Sequence, residues 1–248
     1  MSRAQKTLAL VVPILGAWSL LLDTQFVRHR ALAGPISIAR ALWQGVMDGS
    51  LVDDTLATVT RAVGGLLIGA AAGTMLGLLL GTMRERTAPA ESALDFARAI
   101  PPALMLPVFL LAFGYGDLTR VGIVAWTSTL VLSMHVAASV RQTPIARLRI
   151  FRSFHASRFQ TLRLLYWHQA TPAMLTGLRQ GISLSLIVAV VTEMLIGAPH
   201  GLGLRAVSAQ VAYEAPGLYA VILVVGSLGY LSSKILLGVE SRHARRGA

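Results

Sequence analysis

Long, uninterrupted apolar stretches constrain this chain more than any other feature of its sequence. Charged residues make up only 13% of the 248 residues and hydrophobic residues 54%, whereas soluble domains carry roughly 25% charged residues. Such stretches cross a membrane as helices, because the hydrocarbon core has no water to satisfy exposed backbone groups. A barrel would need alternating segments of about ten residues, and the runs here are continuous. The sequence predicts an all-α membrane protein with about six transmembrane helices.

The length and hydropathy of each run place the spans. We expect a short interfacial helix at 35–49 and an outside turn at 117–120. The fifth span is expected to be interrupted by Glu193 and Pro199, the third to kink at Pro107, and residues 200–216 to lie outside. The six predicted spans are 8–22, 58–83, 101–116, 121–140, 181–202 and 218–237.

The N-terminal segment has two interpretations. The run at 31–33 (Ala-Leu-Ala) resembles a signal-peptidase site. The stretch from Asp23 to Arg30 is long and charged for a cleavage region, so an uncleaved first span is preferred. This gives an N-terminal segment (1–33), a core domain (34–240) and a basic tail (241–248).

Basic residues orient the spans. Four segments that alternate with the proposed outside loops contain 16 of the 22 lysines and arginines, when Lys234 near the end of the sixth span is counted with the tail. Because short basic loops stay in the cytoplasm, we expect a multi-pass protein of the bacterial inner membrane with both termini cytoplasmic.

Five glycines recur at every fourth position of the second span. Without side chains on that helix face, a neighbouring helix can approach closely. The repeat predicts tight packing within the chain, with a dimer contact or a pore-lining face as the alternative. The five are Gly65, Gly69, Gly73, Gly77 and Gly81.

A basic segment separates the fourth and fifth spans. Residues 141–179 contain seven arginines and no acidic residue. Apolar side chains recur on one side of a helical wheel from Leu148 to Leu165, with Arg149, Arg152 and Arg163 opposite. This pattern predicts an amphipathic helix along the inner membrane surface, and attraction to anionic lipid is a second explanation for the arginines.

The basic segment also resembles a known family. The runs SFHASRFQTLR (153–163) and TPAMLTGLR (171–179) are similar to the cytoplasmic loop of permease subunits of binding-protein-dependent ABC importers. The glycine-rich second span, PVFLLAFGYG (107–116) and VTEMLIGAPHGLG (191–203) follow in the family's order. The resemblance is strongest to the aliphatic sulfonate, taurine and nitrate branch.

That resemblance implies a type I ABC importer permease fold and a division of labour. A second permease subunit, in a homodimer or a heterodimer, completes the translocation path for a small polar or anionic solute. Cytoplasmic ABC ATPase subunits bind ATP and Mg²⁺, and a periplasmic solute-binding protein delivers the solute. A coupling helix near residues 152–163 would dock on the ATPase through Arg152, Ser153, Phe154, His155, Ala156, Ser157, Arg158 and Phe159.

This loop departs from the family pattern. Arg149, Ile150 and Phe151 occupy the places of a Glu-Ala-Ala trio, and His155 occupies the place of a glycine. The pair at 167–168 (Trp-His) replaces Leu-Pro. Either the ATPase socket has changed with the loop, or this subunit couples poorly beside a second, standard permease.

Two charged residues inside spans are candidates for the translocation path or a gate. A charge within the bilayer is costly unless it faces protein or water. Glu193 is either such a group or a buried structural acid, which we favour. Arg61 could line an outer vestibule, but snorkelling to the interface is the preferred interpretation.

Other functional classes find less support. The scattered histidines show no metal-ligand spacing, and the chain has neither cysteine nor a GxxxxGK[ST] phosphate loop. We therefore expect no metal site, no catalytic residue and no nucleic-acid partner, since the basic excess follows the positive-inside pattern. The alternatives are an ion-gradient-driven secondary transporter and a membrane-embedded enzyme.

Overall fold

The computed structural model describes residues 32–83 and 88–246, together with Pro13 in the N-terminal segment. Apart from Pro13, the predicted first span lies outside the described residues, and so does Ala31 of the possible cleavage site. Within them the chain is all-helical, and no strand is present. The prediction of an all-α protein is confirmed.

The helices are numbered in chain order. The helix at Ala88–Ala99 is followed by a 3₁₀ turn at Pro102–Met105, and the short helix at Arg158–Thr161 continues through a π-helical turn at Leu162–Tyr166 into the long helix that begins at Trp167. The bounds are α1 Pro35–Met47, α2 Ser50–Met83, α3 Ala88–Ala99, α4 Leu106–Phe113, α5 Asp117–Arg141, α6 Ile145–Ser153, α7 Arg158–Thr161, α8 Trp167–Ile196, α9 Leu202–Val211 and α10 Ala215–Arg246.

Helices α2 and α5 form the central pair. The glycine face of α2 lies directly against α5, so closely that a Cβ on Gly69 would lie 2.5 Å from the Ala125 carbonyl oxygen. The same holds along the repeat, where a Cβ on Gly73 would lie 2.6 Å from the Thr129 oxygen. The repeat therefore packs within this chain. Helix α8 covers the pair, and Ile123, Val124 and Ala189 are buried at that junction.

Four described helices are long and apolar enough to cross a membrane, namely α2, α5, α10 and the continuous run Arg158–Ile196. A fifth crossing is possible if Ser92–Ala99 and Pro102–Phe113, which meet at 91°, form one broken span. The predicted kink at Pro107 is wrong. The chain turns before Pro102, and Pro107 lies in the first turn of α4, where a missing N–H costs no hydrogen bond.

Several predicted boundaries need correction. The expected outside turn at 117–120 is the first turn of α5. Glu193 does not interrupt its span, because α8 continues to Ile196 and ends at Gly197, which has a φ of 68°. The outside segment 200–216 contains a further helix, α9, which the sequence reading missed.

The single amphipathic helix predicted from Leu148 to Leu165 is also wrong. The chain leaves the helix after Ser153 and re-enters one at Arg158. The basic segment then becomes part of the long α8 well before residue 179, which lengthens the fifth span at its N-terminal end.

Candidate functional site

The connection between α6 and α7 is the first candidate site. Helix α6 ends in a Schellman motif, in which the Ala156 amide donates to the Phe151 carbonyl and the His155 amide to the Arg152 carbonyl, both at 3.0 Å. This motif requires a left-handed residue after the helix cap, and His155 supplies it with a φ of 52°. Glycine adopts that conformation without strain, which explains physically why a glycine belongs there.

A second cap begins only two residues later. The Ser157 hydroxyl accepts the Gln160 amide at 3.2 Å, and the Gln160 side chain accepts the Ser157 amide at 2.7 Å. This reciprocal pair is a capping box that fixes the start of α7. The turn between the helices is therefore held from both sides by local hydrogen bonds.

We call residues 152–159 the docking element. Its two aromatic side chains project outwards, with Phe154 80% and Phe159 69% exposed. The flanking side chains of Arg152, Arg158 and Ser153 are exposed too. The docking element thus presents two exposed phenylalanine rings, flanked by arginines, on a turn that is capped at both ends. A surface that a partner protein covers is expected to have this composition.

The second candidate site is a buried ionic cluster at the end of the spans opposite the α6–α7 connection. The Arg61 guanidinium contacts Glu193 Oε1 at 2.6 Å and Asp117 Oδ1 at 2.8 Å. Arg61 is 6% exposed and Glu193 is fully buried. The preferred expectation that Arg61 snorkels to the interface is wrong, because a buried carboxylate holds it inside the protein. Glu193 lies in the last turn of α8.

Side chains of this cluster bind the backbone of the α8–α9 connection. Glu193 Oε2 accepts the Gly203 amide at 3.0 Å and the Thr58 hydroxyl at 2.8 Å, while Thr58 accepts the Leu202 amide at 2.8 Å. These amides open α9, where a carboxylate is favoured by the helix dipole. A Cβ on Gly203 would lie 2.3 Å from the Val190 oxygen, so only glycine fits.

Two arginines bind carbonyls of the same connection. Arg61 Nη1 donates to the His200 carbonyl at 2.7 Å. Arg120 donates to the Gly197 carbonyl through Nε at 3.0 Å and also through Nη2. Arg120 also pairs with Asp117 at 2.7 Å. The connection is therefore fixed at both ends by side chains of α2 and α5.

A third pair extends the cluster to α9. Asp54 accepts the Gly201 amide at 2.9 Å and contacts Arg205 at 3.1 Å. Arg205 also donates to the Ser50 hydroxyl. Ser50 in turn donates to Asp48, which lowers the pKa of that exposed carboxyl below its ordinary value. We call the cluster the outer network; its members are Asp54, Thr58, Arg61, Asp117, Arg120, Glu193 and Arg205.

The predicted residues thus fall into three separate places. Glu193 and Arg61 meet, although no sequence pattern pairs them, whereas the docking element and the glycine face lie elsewhere. Sequence reading missed Asp54, Thr58 and Arg120. Their signal was weak but present: Thr58 stands one helical turn before Arg61 and Asp54 two turns before it, on the same side of α2.

The chain matches a family model described as binding-protein-dependent transport system inner membrane component over residues 65–246. It is 27% identical to a probable ABC transporter permease protein of Brucella melitensis, covering 92% of this chain and 91% of that protein. It is 28% identical to the taurine transport system permease protein of Escherichia coli, covering 80% and 72%. Other similar permeases are named for aliphatic sulfonates and for bicarbonate.

The fold is also similar to a solved one. The MetNI methionine ABC transporter, in an inward-facing conformation, contains a chain that superposes with a TM-score of 0.70. The match covers 79% of this chain and 97% of that one at 17% identity. The predicted type I importer permease fold is confirmed by this likeness.

Proposed function

Because this chain belongs to the family of binding-protein-dependent transport system inner membrane components and is a permease subunit of an ABC importer, we propose that its docking element binds a cytoplasmic ABC ATPase. The ion-gradient-driven alternative is not favoured, since the relatives are ABC importer permeases. ATP and Mg²⁺ would then bind in the partner chain.

The observation that carries the proposal is the pair of exposed rings, Phe154 and Phe159, on a turn capped from both sides. Exposed aromatic side chains are the residues that most often anchor a protein interface. A coupling surface must also transmit movement without deforming. The Schellman motif and the capping box meet that requirement with hydrogen bonds that need no contact from the rest of the fold.

Alanine substitution tests this docking. Phe154→Ala and Phe159→Ala are expected to lower the amount of ATPase that co-purifies in mild detergent by about tenfold or more each, the loss typical of an interface anchor. Phe96→Ala is the matched control, because Phe96 is 71% exposed but lies on α3. Equal retention of the ATPase by all three variants would exclude the docking element as its binding surface.

We propose that two permease chains share the translocation path. The unusual residues of the basic loop, Arg149 and His155, suggest a heterodimer in which the other chain carries a standard loop. Counting the subunits of the purified importer by native mass spectrometry tests this point. Two copies of this chain with no other permease would exclude the heterodimer and leave the homodimer.

We propose a small anion, in the chemical range of sulfonates and bicarbonate, as the transported solute. The support is the names of the relatives, and a periplasmic binding protein would make the selection. Uptake of labelled taurine and bicarbonate by proteoliposomes containing the complete importer is the direct test. Transport of a neutral or cationic solute, with neither anion carried, would contradict the proposal.

Glu193 and Arg61 are proposed to shape the outer part of the path through the α8–α9 connection. Both are buried and each contacts several partners, so neither is placed as a direct solute ligand. They act as positioning residues. The test is the conservative Glu193→Gln variant, expected to change maximal transport while leaving the affinity of the binding protein for its solute unchanged.

The proposed orientation places both termini in the cytoplasm of a bacterial inner membrane. The chain has no cysteine, so single-cysteine labelling is free of background. Ser241→Cys is expected to react with a membrane-impermeant maleimide only after the membrane is opened. Labelling in intact spheroplasts would reverse the orientation.

A further inference from the structure

A large apolar groove opens where the inner end of α2 faces α7 and the start of α8. Its volume is about 830 Å³, within the range of roughly 300–1,000 Å³ that ligand pockets occupy. Met75 and Leu79 form one wall, and Leu164 and Trp167 form part of the other. These four side chains are between 46% and 74% exposed, so the described residues leave the groove uncovered.

The groove has a basic rim. Arg163 and His168 belong to its lining. A second cavity of about 560 Å³ adjoins it through Leu162 and Thr82, and that cavity carries Arg152 and Arg158. No carboxylate lines either cavity among the described residues.

The depth of the groove follows from its residues. Met75 and Leu79 belong to α2, a helix long and apolar enough to cross a membrane. Trp167 stands beside Arg163, and tryptophan and arginine side chains together mark the boundary between hydrocarbon and headgroups. The groove therefore runs from the inner leaflet to its headgroup layer, with cations at the polar end.

We propose that this groove binds one anionic phospholipid of the cytoplasmic leaflet. An acyl chain lies along Met75, Leu79 and Leu164, and the phosphate contacts Arg163 together with Arg158. Charge complementarity selects this occupant, because the basic rim, whose described residues include no carboxylate, attracts anionic headgroups by about 1 kcal/mol per arginine. A zwitterionic lipid would fill the apolar groove equally well but gain nothing at the rim.

The lipid site shares Arg158 and Phe159 with the docking element. Its other residues, among them Met75, Leu79, Arg163 and Trp167, lie outside the docking element. Loss of lipid in a variant of Leu79 or Arg163 that still binds the ATPase therefore concerns the groove alone, and a failure of the lipid proposal would leave the permease function unaffected.

The test uses the full chain in its importer complex, reconstituted in nanodiscs with equal amounts of phosphatidylglycerol and phosphatidylcholine of identical acyl chains. Native mass spectrometry after extraction into detergent counts the retained lipid. We expect one phosphatidylglycerol per chain and no retained phosphatidylcholine. Arg163→Gln is expected to reduce that retention about fivefold.

Two further variants keep the test decisive. Arg147→Gln removes an exposed arginine of the same loop that lines neither cavity, and it is expected to retain the lipid. Leu79→Trp adds bulk at an exposed position and is expected to displace the lipid without unfolding the chain. Equal loss in Arg147→Gln and Arg163→Gln would reduce the effect to diffuse attraction and overturn the proposal.

Other occupants of the groove give distinct results. Equal retention of both lipids would show that the rim does not select the headgroup. Lipid that binds only after deletion of residues 1–31 would assign the groove to the N-terminal segment. A cross-link from Leu79→Cys to the same position of a second chain would assign it to an interface between copies. Each of these results overturns the proposal.

Discussion

Arg61 and Glu193 form an ion pair of 2.6 Å across 132 residues of sequence, and the carboxylate is completely buried. Each charge needs the other at that depth, because an unpaired buried charge loses its hydration without compensation. Each also binds the backbone of the α8–α9 connection. The pair therefore joins α2 to α8 and fixes the segment that begins α9.

Removing one member of this pair is expected to destabilise the protein strongly. Glu193→Leu leaves the Arg61 guanidinium buried with its main partner missing, at a cost of about 3–5 kcal/mol. The measurement is the thermal unfolding of the purified chain in detergent. The double variant Arg61→Leu/Glu193→Met is expected to recover part of that loss, because it removes both charges. A single variant as stable as the wild type would show that the pair contributes nothing.

The glycine face of α2 is expected to tolerate no side chain. Gly69→Ala puts a Cβ 2.5 Å from both the Ala125 oxygen and Ser128 Cβ, so α2 and α5 must separate, at a cost of about 1–3 kcal/mol. Gly64→Ala is the matched control on the same helix. It meets nothing within 4 Å and is expected to stabilise the helix slightly, because alanine has the higher helix propensity.

Thermal unfolding of both variants in the same detergent shows whether each substitution lowers or raises the stability of the protein. A destabilised Gly64→Ala beside an unaffected Gly69→Ala would place the close contact on a different face of α2.

Glycine at position 155 is expected to stabilise the docking element. His155 holds a left-handed conformation that costs a residue with a Cβ about 1 kcal/mol. His155→Gly therefore gains about that amount, whereas His168→Gly, inside α8, loses about 1 kcal/mol. Amide hydrogen exchange of residues 151–157 reports the local gain, as slower exchange in His155→Gly. Faster exchange would show that the imidazole makes a contact worth more than the backbone strain.

The basic character of the loop is expected to match an acidic socket on the ATPase. Residues 141–179 contain no carboxylate, so a partner surface of positive charge would be repelled. Arg149→Glu is expected to lower solute-stimulated ATP hydrolysis at least fivefold, and more strongly at low salt because screening weakens the effect. Arg147→Glu is the control, because it makes the same change of charge on a different face of α6. An increase of hydrolysis in Arg149→Glu would show that the wild-type loop couples poorly.

The sequence predicted the helical elements where one physical pattern dominated. Span four, at 121–140, matches α5 closely because a continuous apolar run has no competing interpretation. The amphipathic helix at 148–165 failed for a local reason. The apolar pattern on the helical wheel continues through the turn, although His155 has a positive φ and is not helical. The periodicity of apolar residues does not indicate where a residue adopts a positive φ. The capping box from Ser157 to Gln160 was the readable signal of a new helix start.

By itself the sequence determined that this chain spans a membrane, which end of its spans is basic, and where two helices can approach closely. These follow from hydropathy, charge and side-chain size, which act along the chain. Only the tertiary structure decided which groups meet. Asp54, Arg61, Arg120 and Glu193 stand on three different helices, and their charges are tolerable only because folding places each beside its opposite. Burial makes that pairing necessary, and burial is a property of the packed molecule.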